Sequence, residues 1–174
     1  MPKKIKKPRN KELQDSNEQL WKDIIELRDG RRCMVKVLFP EIAVGHTEIY
    51  QADHCFTRAN KHLFFEVNNG TMVCSGCNMA KHYDNKSVKR AVDIIVIGRI
   101  GEDKFQEMMA IDMRKSALPD WNKVWWLEEQ EAKLEKIKKE YEIPGITEIK
   151  PKPKPKPKEK DLFNESNKHD KRNV

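Results

Sequence analysis

The chain has 174 residues, of which 37% are hydrophobic and 36% charged, and its formal net charge is +7. This length allows one small domain with extensions, and the low apolar content means that a bound metal would help a small core to fold. No run of about 20 apolar residues is present and no apolar segment follows the basic N-terminus, which argues against a membrane partner and a secretory signal. We therefore expect a cytoplasmic protein whose partner is a polyanion such as DNA.

The first half of the chain predicts an arm, a helix and two strands. Residues 1–14 are basic and contain prolines, as in a disordered arm. Apolar side chains recur at helical spacing over 16–28, and Gly30 can end that helix. The runs 33–39 and 48–56 are rich in residues that favour strands, and they predict a hairpin with a long loop.

The middle of the chain predicts a turn followed by helices. The dipeptide Asn69-Gly70 is a turn signal, and the segment 74–81 after it predicts a tight knuckle that enters a helix. Apolar residues then recur at helical spacing over 87–99 and 102–115. We expect these elements to form one core domain over 15–116.

A long charged helix is predicted over 120–142, with Asp120 as its N-cap, inside a segment that we delimit as 117–148. Its apolar face, from Trp121 to Ile137, is a candidate homodimer interface or a site for a recombination or packaging partner. The same face could equally pack back on the core. From 149 to 174, alternating Lys and Pro begin a segment that predicts a disordered, solvated tail.

The cysteines predict a metal site. Four cysteines without an export signal favour free thiols or metal ligands over disulfides. Cys74 and Cys77 are spaced so that both thiolates can bind one tetrahedral ion. Cys33, His46 and Cys55 are candidates to complete the site. His46 is a better candidate than Cys55, because Cys55 adjoins His54, which is a candidate catalytic residue. The sequence thus predicts a structural Zn²⁺ on Cys33, His46, Cys74 and Cys77, unless the two closely spaced cysteines are simply small buried side chains.

A second group of residues has the chemistry of phosphodiester hydrolysis. His54, with an ordinary pKa near neutrality, can serve as the general base. Asp53 and Asn78 offer oxygen ligands to a hard ion such as Mg²⁺ or another divalent cation, which would stabilise charge on the phosphate. Asn69 is expected to orient the loop or ring of His54. Taken alone, Asp53-His54 could equally be a surface turn.

This order of residues resembles the HNH, or ββα-metal, endonucleases, which carry a strand ending in Asp-His, a central Asn, and an Asn or His after a Cys-x-x-Cys. Within that superfamily, residues 50–109 are most similar to phage recombination endonucleases of the NinG/Rap type. The matching residues are His54 to Arg58, Asn69, Cys74 to Asn78, Asn85, and Arg99 to Gly101. The resemblance covers about a third of the chain.

The resemblance implies an α+β fold with a small HNH, treble-clef-like core, flanking helices and basic tails. It also implies a Mg²⁺-dependent DNA endonuclease that acts on branched, Holliday-junction-like DNA in recombination or repair, in the cytoplasm of a host cell if a phage encodes it. Arg58 is then expected to clamp a phosphate, and Lys81 and His82 to lie near the nucleic acid. The competing hypothesis is a zinc-stabilised DNA-binding or adaptor module without catalysis.

Overall fold

A computed structural model describes residues 7–42, 45–114 and 120–143 of the chain. Within these residues, six α-helices and a short 3-10 helix (Val67–Asn69) accompany one two-stranded sheet, so the predicted α+β class is confirmed. In chain order the elements are α1 (Arg9–Asp29), α2 (Met34–Leu38), β1 (Tyr50–His54), β2 (Gly70–Cys74), α3 (Ser75–His82), α4 (Lys86–Ile100), α5 (Glu102–Met113) and α6 (Val124–Glu142). Among the described helices, none combines the length and the apolarity that a bilayer crossing needs. The predicted tail, 149–174, lies outside the described residues, as do residues 1–6 of the arm.

The two strands and the helix after them form the centre of the molecule. Strands β1 and β2 are antiparallel, with Tyr50 opposite Cys74 and His54 opposite Gly70. Every residue of β2 is buried, and α3 begins directly after it. The Cys74 sulfur accepts a hydrogen bond from the Cys77 N–H at 3.4 Å, which caps the first turn of α3. The start of β1, at Tyr50, and the start of α3 therefore lie close together.

The predicted hairpin between 33–39 and 48–56 is wrong. Residues Met34–Leu38 form helix α2, and β1 pairs with β2. The apolar side chain of Val35 is fully buried and packs with Val73 and with residues of α4. A helix buries Val35 as well as a strand would. The preference of the neighbouring residues for strands is weak, and it does not decide the structure of a segment that has no partner strand.

Two of the predicted helix starts are also wrong. Helix α1 begins at Arg9, so residues 9–14, which the sequence assigned to the disordered arm, are helical. Helix α6 begins at Val124, because Asp120 forms a turn in which its carbonyl oxygen accepts the Lys123 N–H at 2.8 Å. The predicted end of α6 at Glu142 is confirmed.

The long helix α6 lies parallel to α1, because successive contacts follow the same order in both helices. Ser16 donates to Glu131 at 2.8 Å, and further along Lys138 pairs with Asp23 at 2.8 Å. Leu127 and Leu134 are buried between the two helices. The apolar face of α6 therefore packs within the chain, which was one of the two alternatives. A homodimer stays a prediction, and its interface would need another surface.

A buried charge network joins α1 to β2 and α4. Asp29 accepts hydrogen bonds from Arg28 and Arg99, each at 2.8 Å, and from the Met72 N–H at 2.9 Å. Burial alone would raise the pKa of Asp29, but its hydrogen bond with Arg28 and the charges of Arg28 and Arg99 hold that pKa below its ordinary value. The carboxylate is therefore ionised and fully paired inside the fold.

Candidate metal centre and adjoining cleft

Four residues from four parts of the chain meet in one cluster. Cys33 precedes α2, His46 lies on the loop before β1, Cys74 ends β2, and Cys77 lies in the first turn of α3. One potential ligand atom from each lies within 4.8 Å of the others, and these are the four residues predicted from the sequence. The remaining candidate, Cys55, lies elsewhere, with its thiol donating to Asp93 at 3.3 Å.

The spacing within the cluster suits a tetrahedral ion. The sulfurs of Cys33 and Cys77 are 3.6 Å apart, and the His46 Nδ1 lies 3.5 Å from the Cys74 sulfur and 3.4 Å from the Cys77 sulfur. A tetrahedral ion with bonds of about 2.0 to 2.3 Å to nitrogen and sulfur separates its ligand atoms by about 3.5 to 3.8 Å. Three of the six separations between ligand atoms are therefore near those of a tetrahedral ion, and all six are within 4.8 Å.

The thiols of the cluster differ in acidity. Burial raises the pKa of the Cys74 thiol, but hydrogen bonds from the backbone of Cys77 and Thr47 and from His46 outweigh it and lower that pKa to about 6. Burial and the neighbouring Cys33 raise the pKa of Cys77. Without a cation, a second thiolate beside the first is unfavourable, whereas a bound cation would favour ionisation of both.

A glycine lets the His46 loop approach α3. A Cβ atom on Gly76 would lie 1.7 Å from the Gly45 carbonyl oxygen, so no other residue fits there unless the loop moves. The Thr47 and Ser75 hydroxyls, 2.7 Å apart, and the bond from the Ser75 N–H to the Ile49 carbonyl tie the same loop to α3. Close packing of this loop brings His46 to the cysteines.

An open cleft of about 1030 Å³ lies beside the cluster. It brings together six of the predicted residues, namely Asp53, His54, Arg58, Asn78, Lys81 and His82. Helices α1, α4 and α5 add residues that the sequence did not single out, including Glu18, Lys22, Lys89, Asp93 and Asp112. The cleft is therefore built from the strand pair, α3 and three flanking helices.

The His54 ring is held in one orientation. Its Nε2 lies 2.8 Å from the Phe64 carbonyl oxygen, which can only accept, so Nε2 carries the proton and Nδ1 is a free base. Nδ1 is buried and has no partner within the described residues. The ring, 2% exposed, stacks on Trp21 at 4.1 Å with an interplanar angle of 7°. Burial lowers the pKa of His54 to about 4, so the imidazole is neutral near pH 7.

Oxygen atoms suited to a hard cation lie in the same cleft. Asp53 pairs through its carboxylate with the ammonium of Lys81, which also donates to the His54 carbonyl oxygen. The side-chain oxygen of Asn78, three residues before Lys81 on α3, is buried and has no partner among the described residues. The cleft thus holds a carboxylate, a carbonyl and an unsatisfied amide oxygen.

Asn69 does not line the cleft, and it contacts the loop after His54 instead. Its side-chain oxygen accepts the Phe56 N–H at 2.7 Å, and its amide donates to the Leu63 carbonyl at 2.9 Å. Its backbone carbonyl accepts the Cys55 N–H at 2.7 Å. The fully buried Asn69 therefore ties both ends of the loop that carries Arg58.

The charges in the cleft are mixed. Arg58 pairs with Glu18 at 2.8 Å, and His82 is exposed on α3. Four lysines and arginines line the cleft, against five carboxylates; they are Lys22, Arg58, Lys81 and Lys89, against Glu18, Glu26, Asp53, Asp93 and Asp112. The cleft therefore has no excess of positive side chains, and an added cation would favour the binding of a phosphate there.

No family model, curated protein or solved structure matches this chain.

Several residues that build the site carry no recognisable signal in the sequence. Trp21 appeared only as one apolar position of an amphipathic helix, and no spacing pattern linked it to His54. Asp93 and Asp112 lie on α4 and α5, far from the recognisable motif. Gly76 was visible within Cys-Ser-Gly-Cys, but its close approach to Gly45 depends on a loop contact that spans thirty-one residues of chain, from 45 to 76.

Proposed function

We propose that this chain is a divalent-metal-dependent DNA endonuclease of the HNH type. One observation carries the proposal: a neutral histidine with a free Nδ1 shares a cleft with Asp53 and with the unpartnered oxygen of Asn78. The resemblance of this order of residues to the HNH nucleases supports the same conclusion, since β1, β2 and α3 follow one another as a ββα unit. A base beside oxygen ligands for a hard ion suits phosphodiester hydrolysis.

The predicted site residues in and beside the cleft then have defined roles. His54 accepts the proton of the attacking water at Nδ1, and its Nε2–H on the Phe64 carbonyl keeps the ring in place. Asp53 and Asn78 would hold the ion, Mg²⁺ or another divalent cation, which supplies charge stabilisation at the phosphate when bound. Asn69 positions the loop, and Arg58 on that loop binds a neighbouring phosphate.

We further propose that the ion of the Cys33, His46, Cys74 and Cys77 cluster is Zn²⁺ with a structural role. Three thiolates and one imidazole form a set typical of closed zinc sites. Metal analysis of the purified chain should give about one zinc per chain, as four ligands for one tetrahedral ion require. A Cys77→Ser variant should lose the metal and unfold at a lower temperature, whereas Cys55→Ser should keep it.

The substrate part of the proposal rests on the resemblance alone, which points to branched DNA in recombination or repair. The test is cleavage of linear, nicked and four-way-junction DNA in the presence of Mg²⁺, Mn²⁺ or EDTA. We expect cutting with the divalent ions and none with EDTA. Cleavage of the four-way junction alone would support branched DNA as the substrate. Equal nicking of all three DNA substrates would exclude a preference for branched DNA.

A histidine comparison tests the base. His54→Asn removes the basic imidazole and keeps a polar side chain, so cleavage should fall at least about 100-fold. His62→Ala, an exposed histidine on the loop between the strands, is the matched control and should cut at the wild-type rate. Equal rates for wild type and His54→Asn would exclude His54 as the base.

The competing function is a zinc-stabilised DNA-binding or adaptor module that does not cut. It is favoured by the pairing of Asp53 with Lys81, which satisfies the carboxylate inside the chain. If the wild type binds DNA but does not cleave it with Mg²⁺ or Mn²⁺, the result would support this module and would contradict the nuclease.

A further inference from the structure

Lys81 occupies an unusual place in the cleft. Its ammonium contacts the Asp53 carboxylate and the His54 carbonyl oxygen, and the two paired side chains are only 12% and 13% exposed. An ammonium has three donors and no acceptor, so it binds oxygen atoms as a compact cation does. Lys81 is therefore not an ordinary surface lysine.

The oxygen atoms around this ammonium are the same types that a divalent cation would use. Asp53 supplies a carboxylate and His54 a carbonyl at the ammonium. The same cleft is lined by Asn78, one turn earlier on α3, whose buried amide oxygen has no partner among the described residues. A hard ion prefers such ligands. The ammonium and such an ion would both depend on Asp53, and two positive charges held at one carboxylate repel each other.

We propose that Lys81 is a built-in counter-cation that competes with the divalent ion for Asp53. This inference rests on the proposed function, because it concerns the same cleft. When no ion is bound, the ammonium keeps the largely buried carboxylate paired, and an unpaired charge there would be costly. Ion binding must displace the ammonium, which weakens the affinity of the site for the ion.

The test measures the binding of Mn²⁺ to zinc-loaded protein by electron paramagnetic resonance, without DNA. Lys81→Met removes the charge and keeps the length of the side chain, so we expect Mn²⁺ to bind about tenfold or more tightly than to wild type, equivalent to about 1.4 kcal/mol. Lys89→Met removes an exposed lysine from the same cleft and controls for the change in net charge. We expect that control to change the affinity less than about threefold.

Two further variants keep the test decisive. Asp53→Asn combined with Lys81→Met removes both charges, and this chain should lose the Mn²⁺ site. If Lys81→Met is unfolded by circular dichroism, Lys81→Gln, which keeps a donor for Asp53, replaces it in the same measurement. Mn²⁺ affinity that is unchanged or weaker in the folded lysine variant would overturn the proposal.

The outcomes also separate this inference from the proposed function. In one outcome, wild type cleaves DNA in a metal-dependent way while wild type and the lysine variant bind Mn²⁺ equally well. That result would overturn the proposed competition by Lys81 and would still support the nuclease function. No Mn²⁺ binding by either chain, together with no cleavage, would overturn both.

Discussion

Several buried polar side chains near the cleft act on the backbone and not on a substrate. Asn69 is the clearest, since its amide satisfies one backbone N–H and one carbonyl of the loop that follows His54. Asp29 does the same for the Met72 N–H while it pairs with two arginines. Such groups hold the cleft residues in place because each would be costly to leave unpaired.

Replacing Asn69 with Ala should destabilise the fold strongly. It leaves the Phe56 N–H and the Leu63 carbonyl without their partner, and each buried unsatisfied group costs about 1 to 3 kcal/mol. We expect the free energy of unfolding, measured with urea, to fall by about 2 to 4 kcal/mol. Asn68→Ala, at a half-buried position beside it, should cost less than about 1 kcal/mol. Equal losses in the two variants would contradict the role of Asn69.

Asp29 should make the free energy of unfolding depend on pH in the acidic range. Because the pKa of Asp29 is lower in the folded chain than in the unfolded one, its contribution is present above about pH 4 and is lost as the pH falls through the folded pKa. Asp29→Asn, which leaves Arg28 and Arg99 unpaired, should unfold about 3 kcal/mol more easily at pH 7.

Urea unfolding at pH 7 and pH 3 measures this dependence. The difference between wild type and Asp29→Asn should shrink at pH 3, and the exposed Asp103→Asn serves as the control. A difference of the same size at both pH values would show that ionised Asp29 does not stabilise the fold.

At the scale of elements, the helices were easier to predict than the strands. Helices α4 and α5 follow apolar residues at a spacing that is visible in the sequence, and their observed bounds differ from the predicted ones by no more than two residues. Strand β2 is a short, fully buried run, and its partner lies twenty or so residues away. Residues 33–39 looked like a strand because local preference cannot indicate which segment will pair with β1.

Half of the candidate metal site was predictable because, like the helices, it follows from the spacing of residues that are close in the sequence. Cys74 and Cys77 lie at a spacing set by the first turn of α3, so the pair is a local signal. The contributions of Cys33 and His46 depend on loops that close over α3, and they could be proposed only as candidates. The stacking of Trp21 on His54 comes from packing between α1 and the sheet, which no local pattern contains.

The packing of the His46 loop on α3 can be tested through Gly76. A methyl group at this position would overlap the Gly45 carbonyl oxygen and push the loop away, so Gly76→Ala should lose His46 as a ligand. Competition with a chromophoric chelator should give zinc affinity reduced at least about tenfold, a loss typical of a disturbed ligand. Met79→Ala, an exposed position on α3, should bind zinc as the wild type does. Unchanged affinity in Gly76→Ala would contradict the four-ligand site.

The contact between α1 and α6 should contribute directly to stability. Leu134 is buried between the helices, and truncation of a buried Leu costs about 2 to 5 kcal/mol. Leu134→Ala should lower the free energy of unfolding by that amount and loosen α1, which carries Trp21. Trp125→Ala, whose side chain is 56% exposed, should cost less than about 1 kcal/mol. A small effect of Leu134→Ala would show that α6 is not part of the folded core.

At the scale of the whole molecule, two candidate cation sites with different chemistry share α3, which contributes Cys77 to one and Asn78 and Lys81 to the other. The sulfur and imidazole cluster brings together four potential ligands, from the start of α2, the His46 loop, β2 and α3. The cleft offers oxygen atoms and a neutral base, and an added cation would offset its one excess carboxylate. We therefore propose a structural ion for the first site and a catalytic ion for the second.

Nicking of supercoiled plasmid by the zinc-loaded chain tests this division most directly. Wild type should nick DNA when Mg²⁺ is added and should be inactive without it, although its zinc content is the same in both conditions. His54→Asn should retain one zinc per chain and bind DNA as wild type does, yet nick at least about 100-fold more slowly. Wild type that binds DNA but never nicks it with Mg²⁺ or Mn²⁺, or a His54→Asn chain that nicks at the wild-type rate, would contradict the account.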